Sequence, residues 1–333
     1  MSDYQKILVV VDPKMERDIA LIRGIELAKR SGAKLHLLLV DYNSALFRAR
    51  FIDPELLRQA IEGYLDVRRK WLDTELAKLQ ETGIEAEGRV VWHRPAHEEI
   101  AHVASELRPD LVIKAATPVR GLDRILGTPE DRHLVRLCPT PLMLVNPQSS
   151  TIPQKILAAV DPFDTHDKPH ALNDEVLKAA LRMAYAADAR VDVAHAYEYL
   201  PAAAPVGAET VFADAGVFER VREEHREEFI RFGKSHSIPE DQMHLREGEP
   251  WQVISELADD MNIDLVVLGT VQRSGLKRVM MGATAESILS ELRCDILVLK
   301  PEGFSDDLAE ELKDLRDDRL LPEPWKEFRR FSL

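Results

Sequence analysis

A phosphate group asks for backbone N–H donors at a helix start and for glycines that let the chain approach it. Gly269, Gly275 and Gly282, with the Thr284 hydroxyl two residues beyond the last glycine, form one such set, and Lys277 and Arg278 add positive charge between them. The alternative is a strand-to-helix loop whose glycines serve tight turns. Asp161 directly follows a short apolar run, where an acid can meet a ligand or cap the next turn. His93 and His97 are four apart, but Pro95 between them breaks the helix that would put both on one face, so no metal site is expected there. Asp164, His166, Asp167 and His170 make a denser set, open to metal or ligand contact or to solvent alone. A catalytic reading needs a nucleophile beside a base, paired carboxylates in a cleft or a metal set. No Walker loop, Gly-x-Ser-x-Gly, Cys-x-x-Cys or His-Glu-x-x-His motif occurs, so the chain is expected not to be an enzyme, weak ATP hydrolysis aside.

The elements that must carry these residues repeat. Lys6 to Pro13 returns as Lys155 to Pro162, an offset of 149, and Asp110 to Ile113 returns as Asp264 to Val267, an offset of 154. Pro95 and Pro250, Gly121 and Gly275, and Cys138 and Cys294 keep nearly the same spacing. Offsets that drift by so few residues indicate two copies of one domain with small loop insertions. The expected division is residues 1–147, a polar, Pro-bounded linker at 148–154, a second copy at 155–303, and a tail at 304–333 that mixes acids, aromatics and basic residues.

Short apolar runs without polar alternation predict strands buried on both faces, at 6–11, 34–40, 85–92, 110–114 and 141–145, then 155–160, 191–197, 242–246, 264–268 and 295–299. Helical periodicity separates them, at 16–31, 55–82, 96–107 and 130–137, then 171–188, 217–234, 251–261 and 284–292. This alternation predicts two tandem α/β domains, each a doubly wound five-stranded parallel sheet of Rossmann-like type, with the ligand crevice beyond the strand carboxyl ends.

The chain has 333 residues, 45% hydrophobic and 31% charged, which excludes collagenous and wholly disordered classes. Residues 1–150 hold 22 basic and 22 acidic side chains, and the remaining 22 basic and 36 acidic ones carry the whole net charge of −14. A second half this acidic repels a polyphosphate, so no nucleic-acid partner is expected. Arg68, Arg69 and Lys70, with Asp66 and Asp73 nearby, read as a solvated helix face. No run reaches the roughly 18 to 20 apolar residues of a membrane span. Two cysteines suit a reducing compartment and a packing role, so a cytoplasmic location is expected. The charge-poor stretch from Leu200 through Ala208, continuing to Val211, Phe212, Val217 and Phe218, either lines an apolar pocket or packs under the rest of the fold.

Leu265 to Glu286, followed by Leu292 to Pro301, resembles the closing segment of the universal stress protein family. Val11-Asp12 and Val160-Asp161 open the two copies as that family does, and the likeness spans about residues 4–302. It implies an adenine-nucleotide alpha hydrolase-like fold in both copies, related by a pseudo-two-fold, with Leu142 to Val145 facing Ile296 to Leu299 in an intramolecular pseudo-dimer that can pair again into a homodimer. ATP-binding members place Gly, two residues, Gly, nine residues, Gly, then Ser or Thr. In that frame Gly269 and Gly282 are kept, while Gln272 and Ala283 replace the second glycine and the hydroxyl. Asp161, Gly269, Gly275, Gly282 and Thr284 are therefore the candidate ligand-binding residues, at a shifted anion site. In the first copy Ala115 and Pro118 stand where glycines belong, and proline lacks the N–H a phosphate would meet.

The functional expectation is a noncatalytic stress-response protein binding a small molecule or a protein partner. An ATP-binding switch acting through the second copy is one alternative, with no other cofactor expected. A carrier of an apolar ligand is the other.

Overall fold

The computed structural model describes residues 4–48, 53–117, 128–150, 152–163, 170–198, 215–270, 287, 292–301 and 304. The chain divides between Ile152 and Pro153 into two compact units. Unit 1 runs β1 (Lys6–Val10), α1 (Ile19–Ser31), β2 (Lys34–Asp41), α2 (Ser44–Arg48), α3 (Pro54–Glu81), β3 (Ala86–Trp92), α4 (Ala96–Leu107), β4 (Leu111–Ala115), α5 (Pro129–Leu137) and β5 (Leu142–Val145). Unit 2 runs β6 (Lys155–Ala159), α6 (His170–Ala187), β7 (Arg190–Tyr197), α7 (Ala215–Ser235), a 3-10 turn (Glu240–Gln242), β8 (Met243–Glu247), α8 (Pro250–Asp260), β9 (Leu265–Gly269) and β10 (Asp295–Leu299).

Every strand pairing within a unit is parallel. In unit 1 the order is β3-β2-β1-β4-β5 and in unit 2 it is β8-β7-β6-β9-β10, so both are doubly wound α/β sheets with one topology. The winding reverses between β1 and β4 and between β6 and β9, and a crevice opens beyond the strand ends at such points. The central strands are buried as their unbroken apolar runs require: Ile7, Leu8, Val9, Leu111, Val112 and Ile113 in unit 1, and Ile156, Leu157, Leu265, Val266 and Val267 in unit 2.

The repeat extends to single hydrogen bonds. Asp110 Oδ2 accepts from the Gln5 and Lys6 N–H groups at 2.8 and 2.9 Å, and Asp264 Oδ2 accepts from those of Gln154 and Lys155 at 2.8 and 2.9 Å. Lys6 Nζ then donates to the Leu107 carbonyl at 2.8 Å and Lys155 Nζ to that of Met261 at 2.9 Å. The same clasp thus ties the first strand of each unit to the loop before its fourth.

Strand boundaries lie within a residue of those expected. Helix α1 begins three residues later than its periodicity predicts, because the Asp18 side chain accepts from the Leu21 N–H at 2.9 Å and caps the helix there. Helix α2 was not expected; its first turn is held by Asn43 Oδ1, which accepts from the Ala45 and Leu46 N–H groups at 2.9 and 3.2 Å. The basic cluster on α3 is only partly the solvated face predicted for it. Arg69 pairs with Glu62 and Asp66 near the surface, but Arg68 turns inward, pairs with Asp41 and lies over the Tyr64 ring, 3.3 Å from its centroid. Tyr64 donates to Asp41 at 2.7 Å, and burial, with Asp41 adding to it, pushes its hydroxyl up to about 12.

Candidate functional site

In unit 2, Asp161 leaves β6 at the crevice. Its N–H donates to Asn173 Oδ1 at 2.9 Å, its carbonyl accepts from Asn173 Nδ2 at 2.5 Å, and its Oδ1 accepts from the Phe163 N–H at 3.4 Å. Asn173 of α6 therefore fixes the backbone at the strand end, while the carboxylate shapes the turn after it. Gly269 closes β9. A Cβ there would lie 2.8 Å from Cγ and Cδ2 of Leu172 on α6, so close helix-to-strand packing requires glycine at this position independently of any phosphate. Thr270 follows, buried; its hydroxyl donates to the Leu299 carbonyl at 3.2 Å and accepts from Lys300 Nζ at 3.0 Å. Asp161 and Gly269 thus end strands that are neighbours in the sheet. Gly275, Gly282 and Thr284 lie outside the described residues, as do Gln272, Ala283, Lys277, Arg278, Asp164, His166, Asp167, the 199–214 segment and the tail apart from Phe304.

Beside Asp161 stands a group that the sequence did not disclose. His195 of β7 and His225 of α7 meet at 2.9 Å between Nε2 and Nδ1, and His195 Nδ1 lies 3.2 Å from the Val160 carbonyl. A carbonyl only accepts, so His195 carries its proton on Nδ1, and in the neutral pair its Nε2 accepts from His225 Nδ1–H. Phe163 lies 4.2 Å from the His225 ring, Tyr197 4.9 Å from it, and Phe229 5.7 Å from His195. Burial lowers the affinity of His225 for a proton, against the opposing pull of Asp161 and Glu224. The two histidines are 30 residues apart on different elements, so no spacing rule joins them. The usable signal was separate: a histidine inside the buried run 191–197, and His225 four residues before Phe229 on one helix face.

Unit 1 carries a different group on β4 and α5, where the matching strand of unit 2 is β9. The carboxylate of Asp131, on the first turn of α5, is 0% exposed. Its Oδ1 accepts from Lys114 Nζ at 2.7 Å, and its Oδ2 accepts from the Thr117 N–H and the Thr128 hydroxyl, both at 2.9 Å. Asp18, the N-cap of α1, has its carboxyl pushed up mainly by burial, with Asp12 adding to the rise and Lys114 opposing it. Where Lys114 stands in β4, the repeat places Leu268 in β9.

His93 and His97 do not act as a pair. His97 stacks on His133 of α5 with ring centroids 4.9 Å apart, whereas His93 Nε2 lies 3.5 Å from Glu98. Burial, then the neighbouring His133, lowers the affinity of His97 for a proton. Among the described residues no cluster of three or more His, Cys, Asp or Glu is arranged to hold a metal ion. Cys138 is buried with its Sγ 3.4 Å from the Thr140 carbonyl, and burial pushes the Cys294 thiol upward, away from the reactive thiolate. A cleft of about 710 Å³ lies between α7 and the edge strand β8, with Tyr197, Phe229, Met243 and Leu245 as its apolar wall and Arg222 and Arg226 among its polar lining.

Comparison with known proteins gives concordant results. The family model described as "Universal stress protein family" matches residues 3–146 and again 153–300. Universal stress protein E of Escherichia coli strain K12 is 31% identical over 320 residues, covering 96% of this chain and 100% of the relative, and that of Salmonella typhi is 32% identical over 306 residues, covering 91% and 96%. Among solved structures, a functionally unknown protein from Pseudomonas aeruginosa PAO1 superposes with a TM-score of 0.75 at 25% identity, covering 94% of this chain and 98% of that one. A putative universal stress protein from Pseudomonas aeruginosa UCBPP-PA14 gives 0.73 at 26%, with 94% and 99% covered. With both halves matched separately and the full length matched in relatives, the chain belongs to the universal stress protein family and carries two of its domains in tandem.

Proposed function

We propose that the protein is a noncatalytic stress-response protein whose second domain recognises a small molecule at the strand carboxyl ends, while the first supports the assembly or a protein partner. One observation carries this reading: at the crevice of unit 2 a carboxylate stands beside four flat rings. In unit 1 the Lys114 cation is matched by the buried Asp131, whereas in unit 2 Asp161 borders a planar group of Phe163, Tyr197, His195 and His225. Flat rings beside a carboxylate suit a planar, hydrogen-bonding ligand. An adenine nucleotide such as ATP, reaching Gly269, Gly275, Gly282 and Thr284, is the more specific form of the reading. The absence of catalysis rests on the engagement of the acids and imidazoles by structural partners within the fold.

Native mass spectrometry of the full chain, freshly purified, tests this. A stoichiometric added mass, weakened in Asp161→Ala, is expected, and ATP with magnesium should displace or replace it. A bare polypeptide mass together with no saturable binding at millimolar ATP would remove the reading. The cleft between α7 and β8, lined by Arg222, Arg226, Glu240, Arg246 and Glu247 as well as by its apolar wall, suits a second reading, the carrier of a ligand with both apolar and charged parts, and an added mass insensitive to Asp161→Ala but lost in Phe229→Ala would select it.

A further inference from the structure

Unit 1 contains a buried charge pair that its fold does not require, since unit 2 builds the same sheet with Leu268 in place of Lys114. The pair is arranged as a ligand and its receptor would be. Oδ1 of Asp131 receives the Lys114 ammonium at 2.7 Å, and Oδ2 receives a backbone N–H from Thr117, two residues past the end of β4, together with the Thr128 hydroxyl at the helix cap. An ammonium, a strand-end N–H and a helix-cap hydroxyl converging on one anion make a phosphate-binding chemistry. Here the anion is supplied by the chain, with 0% of Asp131 exposed.

We propose that Asp131 is a tethered anion that occupies the phosphate position of unit 1 and thereby closes this domain to phosphate-bearing ligands. A phosphate entering unit 1 would have to displace a carboxylate already holding the same donors. The inference concerns unit 1 alone and holds whatever unit 2 binds.

The test is anion rescue in the full chain. Removing the carboxylate in Asp131→Ala leaves Lys114 buried without its counter-charge and opens room beside it. Amide hydrogen exchange across residues 129–137 is followed in inorganic phosphate and in chloride at matched ionic strength. In the wild type, phosphate should change these rates less than twofold. In Asp131→Ala it should slow them at least tenfold, and in the double variant Lys114→Met, Asp131→Ala the rescue should vanish. The double variant also subtracts the general salting effect of phosphate. Asp131→Asn, which keeps the volume and an acceptor for Thr117, should show no rescue because the position stays filled. If Asp131→Ala does not fold in chloride, recovery of native protein on refolding in phosphate replaces the exchange rate as the readout. Equal behaviour of phosphate and chloride on Asp131→Ala would make the pair a structural ion pair only and overturn the proposal. Saturable binding of phosphate to wild-type unit 1 would overturn it as well. Because the readout lies in α5, failure of ligand binding in unit 2 leaves the result unaffected.

Discussion

Gly269 shows how one residue can satisfy two explanations, and how they can be separated. A phosphate cradle and a tight helix contact both ask for glycine, and the 2.8 Å approach to Leu172 makes the second concrete. Gly269→Ala should therefore destabilise the protein by about 1–3 kcal/mol, the range for overpacking a core. Leu172→Ala in the same chain should recover part of that loss, as read from urea midpoints. A Gly269→Ala protein of unchanged stability would mean that the helix yields and the glycine serves something else. Asp161 was legible in the sequence because it follows a strand-like run and recurs as Asp12; its turn contact to Phe163 was one of the two roles left open for it. Asp131 was not legible. A search for matching positions in two copies passes over the place where the copies differ, and Lys114 opposite Leu268 is such a place.

At the level of elements the strands were readable almost to the residue, since runs such as Ile7 to Val10 and Leu265 to Leu268 have a single fate in a parallel sheet. Helix starts were less so, because they are set by single side-chain bonds, as Asp18 and Asn43 show. The repeated aspartate clasp gives a paired prediction: Asp110→Ala and Asp264→Ala should each loosen the first strand of its own unit by about 1–3 kcal/mol. Hydrogen exchange should assign the loss to β1 in one variant and β6 in the other, and a loss spread evenly over both units would contradict the clasp. The histidines between elements predict a pH response. Burial is the leading cause of reduced proton affinity for His36 on β2, His97 between α4 and α5, and His225 on α7. Their unfolded forms, near the ordinary value of 6.5, take up protons before the folded ones do. Stability is thus fully present above about pH 6.5 and declines as the pH falls below it. Urea midpoints should drop between pH 7 and 5.5, less steeply in His97→Phe, and a flat profile would exclude this coupling.

For the molecule as a whole, length and composition allowed two domains without relating them, whereas the topology, order 3-2-1-4-5 in each unit, makes them copies of one design. The net charge of −14 belongs to the second half, so the copies share a skeleton and not a surface. Arg23 is fully buried in unit 1 and donates to the Ser150 carbonyl at 2.6 Å, so the first domain holds its exit strand almost to the junction. The Lys114–Asp131 pair carries a further consequence for how the first domain depends on its surroundings. A counter-ion that is part of the polypeptide cannot be diluted, competed away or starved, and its local concentration is set by covalent connection alone. Unit 1 would keep its full stability whatever the phosphate supply of the cell. A domain that borrows its anion from solution becomes more stable as that anion accumulates. If the second domain binds an anion as proposed, joining the two would give a molecule with an internal reference, against which the response of the second domain would be measured.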